Sequence, residues 1–379
     1  MKAVLSKRNL TSFQINILGF SCVILFGTIL LMLPFSSRSG LATPFSDALF
    51  TSTSAVCVTG LIIHDTATYW SAFGQLVILL LIQIGGMGVI TVAASFAMIS
   101  GRKISLMQRS TMQEAISGPK VGGIVRLTGF IVRVTLVMEL LCAAVMAPVF
   151  CRNFGKMGLW MALFHSVSAF CNAGFDLLGV RTPFSSLTSY ATNPVINVTI
   201  MFLIVVGGIG FLTWDDIRAN RLHLRKYRMQ SKVILCTTAI LLIVPAMYFY
   251  FFEFSDLSQR ERFLSSLFQA VTPRTAGFNT VELTDLSEAE QFITIALMLI
   301  GGSPGSTAGG LKTTTLAVLF ATALSTFRRR ENANFFGRRI DDDVVKKRSD
   351  NFTYVYHAIL YRWPYYQRFR RPSHAYLPF

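Results

Sequence analysis

Several kinds of chemistry are missing from this chain of 379 residues. Charge is sparse, at 14% Asp, Glu, Lys and Arg, and acids are the scarcer sign, with 19 Asp and Glu against 35 Lys and Arg. The six cysteines form no CxxC or CxxH pair, so neither a disulfide framework nor a zinc site is expected. The five histidines, His64, His165, His223, His357 and His374, have no metal-ligand spacing, and no nucleophile motif is found. Without an acid–base or metal cluster, an enzyme is disfavoured and no cofactor is expected in the chain. No small-residue cleavage site follows the basic tip Met1–Asn9, so no signal peptide is expected.

What the chain has instead is apolar length. Hydrophobic residues make up 52%, mean hydropathy is +0.52, and several runs reach the roughly 20 residues that cross a bilayer core of about 30 Å. An integral membrane protein follows, forming one membrane unit with no separate soluble domain. The net charge of +16 does not imply nucleic acid, because the basic residues cluster between apolar spans, as the positive-inside bias requires.

The spans are organised by an internal repeat. Ser54 to Leu61 aligns without a gap on Ser168 to Phe175 and on Val271 to Phe278, bringing Gly60, Gly174 and Gly277 into register. In the first unit, Phe13–Leu33 spans, Pro44–Ala55 is too short to span, and Gln75–Ile99 returns. The second comprises Leu127–Phe150, Leu159–Ala169 and Val195–Leu212. The third comprises Val233–Phe252, Arg262–Val271 and the long apolar stretch Phe292–Leu324. The expected organisation is a first repeat at 10–100, a second at 120–216, a third at 230–327, and a basic segment with an atypical tail at 328–379. Lys and Arg crowd one side at successive boundaries (Lys2, Lys7 and Arg8; Arg102 to Arg126; Arg218 to Lys232; Arg328 to Arg330), which puts the N-terminus in the cytoplasm. The fold class is an all-α polytopic membrane protein of helix–pore loop–helix units around a central pore.

Non-helical backbone at membrane depth costs several kcal/mol per unsatisfied group unless it lines a polar path. A dehydrated monovalent cation needs rings of carbonyl oxygens, and glycine lets the chain turn them toward an axis. Val58, Thr59 and Gly60, Asn172, Ala173 and Gly174, and Thr275, Ala276 and Gly277 are the candidate filter. The alternative is that the glycines only permit a tight turn. Asp65, Asp176 and Glu282 follow the glycines and suit an outer mouth that concentrates cations, or are solvated loop acids. Arg274 would repel cations on the axis and is expected behind the filter, pinned by an acid or by half-helix carbonyls.

The third returning span is interrupted at 301–310 by Gly301, Gly302, Ser303, Pro304, Gly305, Ser306, Thr307, Ala308, Gly309 and Gly310, a run that cannot hold a regular helix. A phosphate-binding P-loop is excluded by spacing and context, since Leu311 separates the glycine from Lys312. A flexible loop under the filter would gate the pore, with Lys312 as a tethered cation. The other returning spans have only a local echo, Gly85 to Gly88 and Gly207 to Gly210. Glu139, an acid within an apolar span, is either functional or a packed, hydrogen-bonded carboxyl.

The VCVTGL, CNAGF, TPRTAGFN and GGSPGSTAGGLKTTT stretches resemble the Trk/Ktr/HKT superfamily of potassium transporters, and the chain looks most like the membrane subunit of a bacterial Ktr-type uptake system. The resemblance covers about residues 10 to 347. It implies potassium as the transported ion at the filter, with sodium open as a coupling or activating ion, and Gly60 as a potassium-selective position. It also implies an intramembrane gate loop at Gly301–Thr315, a homodimer in the bacterial plasma membrane, and a cytoplasmic ring of nucleotide-binding regulatory subunits. A fourth filter glycine, expected about 100 to 115 residues after Gly277, is missing. Residues 348–379 read like a truncated or frameshifted end, leaving a non-conducting subunit that only assembles with intact ones as the alternative.

Overall fold

The computed structural model describes residues 11–100, 104–116, 118, 122–221, 223–283, 286–329, 334–340, 343–346, 348–350 and 352–353. The tail from 354, Lys347 and the loop cations Arg102, Lys103 and Lys120 lie outside these residues.

The chain opens with α1, Ser12–Met32, started by a capping box in which Thr11 and Gln14 bind each other's backbone N–H. It stops before Pro34, which cannot continue a helix. Then follow α2, Phe45–Cys57, the single turn α3, Thr66–Tyr69, α4, Ala72–Met87, α5, Val89–Ile99, and α6, Leu106–Ile116. Next come α7, Ile124–Phe154, α8, Met157–Phe170, α9, Pro194–Gly208, and α10, Phe211–Asn220. The last helices are α11, Met229–Tyr248, with a π-helical turn to Glu253, α12, Gln259–Val271, α13, Glu288–Leu299, and α14, Thr313–Phe327.

Helices α1, α7 and α11 with its extension are long and apolar enough to cross a membrane. Each exposes large apolar side chains, among them Leu25, Phe26 and Ile29, Leu136, Leu140 and Leu141, and Ile243, Val244 and Met247. Contiguous apolar surface of this kind needs a lipid solvent. This is a polytopic membrane protein.

The returning spans Gln75–Ile99 and Val195–Leu212, expected to be continuous, are not. Helices α4 and α5, and likewise α9 and α10, meet at bends of 96°. The hinges are Gly88 (φ 83°, ψ 132°) and Gly210 (φ 89°, ψ 143°), a backbone conformation that a Cβ forbids. In the third returning stretch the break widens to the whole segment between α13 and α14.

Helices α2, α8 and α12 have 13, 14 and 13 residues. At about 1.5 Å rise per residue, none reaches across a core of about 30 Å. Their C-terminal halves are buried instead, with hydroxyls satisfied by neighbouring backbone: Ser52 Oγ donates to Ile24 O on α1 at 2.7 Å, and Ser166 Oγ to Glu139 O on α7 at 2.7 Å. Around them packs a core that includes Leu31, Ile78, Ile82, Phe164, Phe170 and Phe268. His165 sits inside this core with both ring nitrogens engaged, Nδ1 on Met161 O and Nε2 on Leu177 N. Glu139 is buried and accepts from Gln83 Nε2 at 3.0 Å, so it is a packed, hydrogen-bonded carboxyl.

One compact unit runs to Thr313, and a second begins at Thr314. Within the second, Val318 and Ala321 of α14 pack with Ile340 beside a two-stranded hairpin, β1, Asn334–Phe335, and β2, Arg338–Arg339.

Candidate functional site

Helices α2, α8 and α12 end in the same local structure. Two residues before each glycine, a non-glycine residue takes the left-handed conformation: Val58 at φ 56°, Asn172 at 57° and Thr275 at 65°. The glycines follow at φ 73°, 72° and 82°. Left-handed residues reverse the chain at a helix end and send its N–H groups back to the last carbonyls. Here Thr59 N donates to Ser54 O (3.0 Å), Ala173 N to Ser168 O (2.8 Å) and Ala276 N to Thr272 O (3.0 Å). A β-branched residue in this region costs about 1–3 kcal/mol, so the surroundings must enforce it at Val58 and Thr275.

Turning the N–H groups backward leaves the carbonyls. Among the described residues, no donor reaches the carbonyl oxygens of Val58, Thr59, Gly60, Asn172, Ala173, Gly174, Thr275, Ala276 or Gly277. The next carbonyl along is held in every case by a hydroxyl at the end of the short helix. Ser54 Oγ donates to Leu61 O at 2.7 Å, Ser168 Oγ to Phe175 O at 2.7 Å, and Thr272 Oγ1 to Phe278 O. Each segment is thus bound along its back and open at its front.

The three segments lie side by side. A Cβ on Gly60 would fall 2.7 Å from Ala173 O, and one on Gly174 would fall 2.7 Å from Ala276 O and 2.9 Å from Gly277 Cα. The second segment therefore sits between the first and the third, at backbone contact. The short helices are in turn backed by the broken spans: a Cβ on Gly85 would strike Val56 O, and one on Gly207 would strike Phe170 O. The glycines that echo each other in sequence make the same contact in space.

The loop at 301–310 meets the second segment directly. Thr307 Oγ1 donates to Phe170 O at 2.9 Å and accepts from Asn172 Nδ2 at 3.0 Å. Thr307 N donates to Gly207 O and Ser303 N to Gly208 O, while Phe211 N donates to Gly305 O at 2.8 Å. The loop therefore fills the notch that the Gly210 hinge opens between α9 and α10. Internally, Gly301 N binds Leu311 O, Gly302 N binds Gly309 O, Ser306 Oγ binds Ser303 O, and Ser303 Oγ lies 3.0 Å from Thr313 Oγ1. Lys312 is held against the loop's own backbone. Its Nζ donates to Ala308 O at 2.8 Å and closes the loop on itself.

The three acids part company. Asp65 is buried and is no open mouth group: Oδ1 caps α3 through Ala67 N, Thr68 N and Thr68 Oγ1, and Oδ2 accepts from Phe184 N at 3.0 Å. Asp176 is half-buried and accepts from Leu178 N at 2.9 Å, and Glu282 is exposed. Burial raises the Asp176 carboxyl to about 6; the Leu178 N–H works against this and the Asp65 charge adds to it. Arg274 is buried, but among the described residues no acid pins it. Its Nε has no partner, and it forms no ion pair among the described residues.

Sequence reasoning missed the hydroxyl latches Ser54, Ser168 and Thr272, the hinges Gly88 and Gly210, and the Asn172–Thr307 link. A signal for the first two latches was there, since Ser54 and Ser168 occupy the same place in the aligned motifs. The third is displaced by one residue, to Thr272, so the pattern is invisible in the alignment.

The TrkH family, described as a cation transport protein, matches residues 6–353. Over 345 residues the chain is 42% identical to the potassium/sodium uptake protein NtpJ of Enterococcus hirae, an alignment covering 89% of this chain and 75% of that one. It is 37% identical over 341 residues to the Ktr system potassium uptake protein B of Bacillus subtilis, covering 88% and 75%. In fold it is similar to the crystal structure of the potassium transporter TrkH from Vibrio parahaemolyticus, with a TM-score of 0.65 and 21% identity over 92% of this chain and 70% of that one.

Proposed function

This chain belongs to the TrkH family of cation transport proteins, membrane transporters rather than enzymes, and we propose that it carries potassium into the cell through the three clustered carbonyl segments. The observation that carries this reading is that, in those adjoining segments, nine backbone oxygens have no donor bound among the described residues. Potassium stripped of water requires such a cage, because each carbonyl dipole replaces part of its hydration shell. In this reading Gly60, Gly174 and Gly277 let the oxygens approach one another, and the latches Ser54, Ser168 and Thr272 keep neighbouring carbonyls from competing. An inside-negative potential drives the ion inward by about 2.3 kcal/mol per 100 mV.

The loop at Gly301–Gly310 acts as the gate. It is tied to the end of α8 by Thr307 and to the α9–α10 hinge by Ser303 and Gly305, so opening the path requires those bonds to break. Asp176 and Glu282 raise the cation concentration outside the filter. Each proposed repeat, 10–100, 120–216 and 230–327, supplies one filter segment. The setting is a bacterial plasma membrane with the N-terminus in the cytoplasm. The partners that the family resemblance suggests are a second copy of the chain and a cytoplasmic ring that binds a nucleotide. Sodium is a candidate for a coupling or activating ion.

The test is ion-selective uptake by the full chain in a host lacking its own potassium uptake. Wild type should restore growth at low potassium, and Gly60→Ser should weaken discrimination of potassium over sodium. Unchanged selectivity in a variant that reaches the membrane would overturn the filter assignment.

A further inference from the structure

Away from the filter, at the inner end of α7, two adjoining cavities are walled by arginine. One, of about 490 Å³, is lined by Gly122, Ile124, Arg126, Phe130, Arg218 and Arg228, among others. The second, of about 390 Å³, shares Arg126, Phe130 and Arg218 and adds Arg133 and the apolar Met98 and Val125. Arg126, Phe130 and Arg133 are spaced by four and three residues, so they form one stripe along α7. The Arg218 guanidinium faces that stripe from α10, 4.7 Å from the centre of the Phe130 ring.

The charges there are unbalanced. Asp215 lines the first cavity, but Arg228 Nη2 holds it at 3.2 Å. Asp216 is likewise taken, by Arg228 Nε at 3.3 Å and Ser231 Oγ at 2.6 Å. Among the described residues, Arg126, Arg133 and Arg218 have no ion pair. Three guanidiniums converging on one space favour an anion with several oxygens, which planar forks bind better than ammonium groups do.

The position narrows the anion further. Arg133 lies nine residues inside a spanning helix, where an exposed cation is costly without a counter-charge. The same stripe continues outward through Val137, Leu140 and Leu141, all more than half exposed. A ligand that fills both parts has an anionic head and a hydrocarbon tail. We propose that Arg126, Arg133 and Arg218 bind the phosphate of an anionic phospholipid from the inner leaflet, with its acyl chain lying along the exposed face of α7. Basic pockets between helices at the cytoplasmic side recognise such headgroups. The site bears on the gate by direct connection, because Arg218 belongs to α10, whose first residue, Phe211, donates its N–H to Gly305 O of the loop.

The experiment titrates the purified full chain, in neutral detergent, with dioleoylphosphatidylglycerol and follows thermal stability, with native mass spectrometry counting bound lipid. Phosphatidylglycerol should stabilise the protein and phosphatidylcholine should not. The triple variant Arg126→Gln, Arg133→Gln, Arg218→Gln should lose apparent affinity by at least about tenfold, since each arginine supplies charge-assisted bonds. A control carrying Arg221→Gln, Arg225→Gln and Lys226→Gln removes equal charge outside the cavity and should retain wild-type affinity. Should the triple variant fold poorly, the single Arg133→Gln should still bind fewer phosphatidylglycerol molecules than wild type. Equal losses in triple variant and control, or no loss in either, would overturn the site. So would equal stabilisation by inorganic phosphate, which would make the ligand a free anion. Stabilisation by polyglutamate and not by phosphatidylglycerol would point to an acidic protein segment and overturn it too.

Discussion

The filter segments and the loop at 301–312 are both irregular backbone inside a helical membrane protein, yet the loop's carbonyls are partly engaged and those of the filter segments are not. In the filter segments, N–H groups fold back onto the short helices, and among the described residues no donor reaches the carbonyls of the nine residues. In the loop, the carbonyls of Gly302, Ser303, Gly305, Ala308, Gly309 and Leu311 accept bonds, while among the described residues those of Gly301, Pro304, Ser306, Thr307 and Gly310 accept none. Free oxygens at membrane depth call for an ion or water, while satisfied ones can close a path. The difference separates a surface suited to conduct from one suited to block, although both are built from glycine, serine and threonine.

The largest effect expected from breaking this contrast is at Gly174. A Cβ there meets two backbone atoms of the third segment at 2.7 and 2.9 Å and also carries the strain of φ 72°. At about 1–3 kcal/mol of strain and a tenfold rate change per about 1.4 kcal/mol, Gly174→Ala should lower potassium uptake about tenfold or more. Gly277→Ala, whose nearest contact is 3.1 Å, should lose less. Uptake assays normalised to protein in the membrane rank the two, and the reverse order would refute the packing of the segments.

On the loop side the sign should invert. Thr307→Val removes the bonds to Phe170 O and Asn172 Nδ2 with little change of shape, at about 0.5 kcal/mol each. Flux through reconstituted protein should rise about fivefold, and shortening Gly301–Gly310 should raise it as well. Equal or lower flux in both would make the loop structural.

A subtler change sharpens the filter side. Ser168→Ala releases Phe175 O, a bond worth about 1 kcal/mol, and should reduce potassium-over-sodium discrimination about threefold in competition uptake. Smallest is the effect of pH. With Asp176 raised to about 6, its charge is present above that pH and lost as the medium is acidified through it. Uptake at limiting potassium should therefore fall about twofold on acidification, and Asp176→Asn should remove the dependence.

Much of this arrangement was legible from residues alone. The spans α1, α7 and α11 announce themselves because roughly 20 apolar residues have few other uses. The three glycines could be aligned because each follows a helix end of the same type. The hinges at Gly88 and Gly210 were not legible, since a glycine cluster within an apolar run is compatible with both a straight and a broken helix. Asp65 misled for a related reason. An acid five residues past a filter glycine looks open to solvent, and only the fold brings Phe184 N onto it from 119 positions away. For Lys312, residue order does not show what holds the ammonium; only the folded loop presents Ala308 O to it.

The sequence by itself determined a membrane protein, the long apolar spans α1, α7 and α11, the three glycine segments and the 301–310 run where the backbone leaves helical geometry, and the family those motifs resemble. These are local properties, set by hydrophobic length and by what glycine and proline permit. Only the tertiary structure decided which carbonyls stay free, that the second segment lies between the first and third, and that the loop is anchored through Thr307 to α8. Those outcomes depend on donors and acceptors from distant elements meeting within hydrogen-bond range, and no local spacing encodes such meetings.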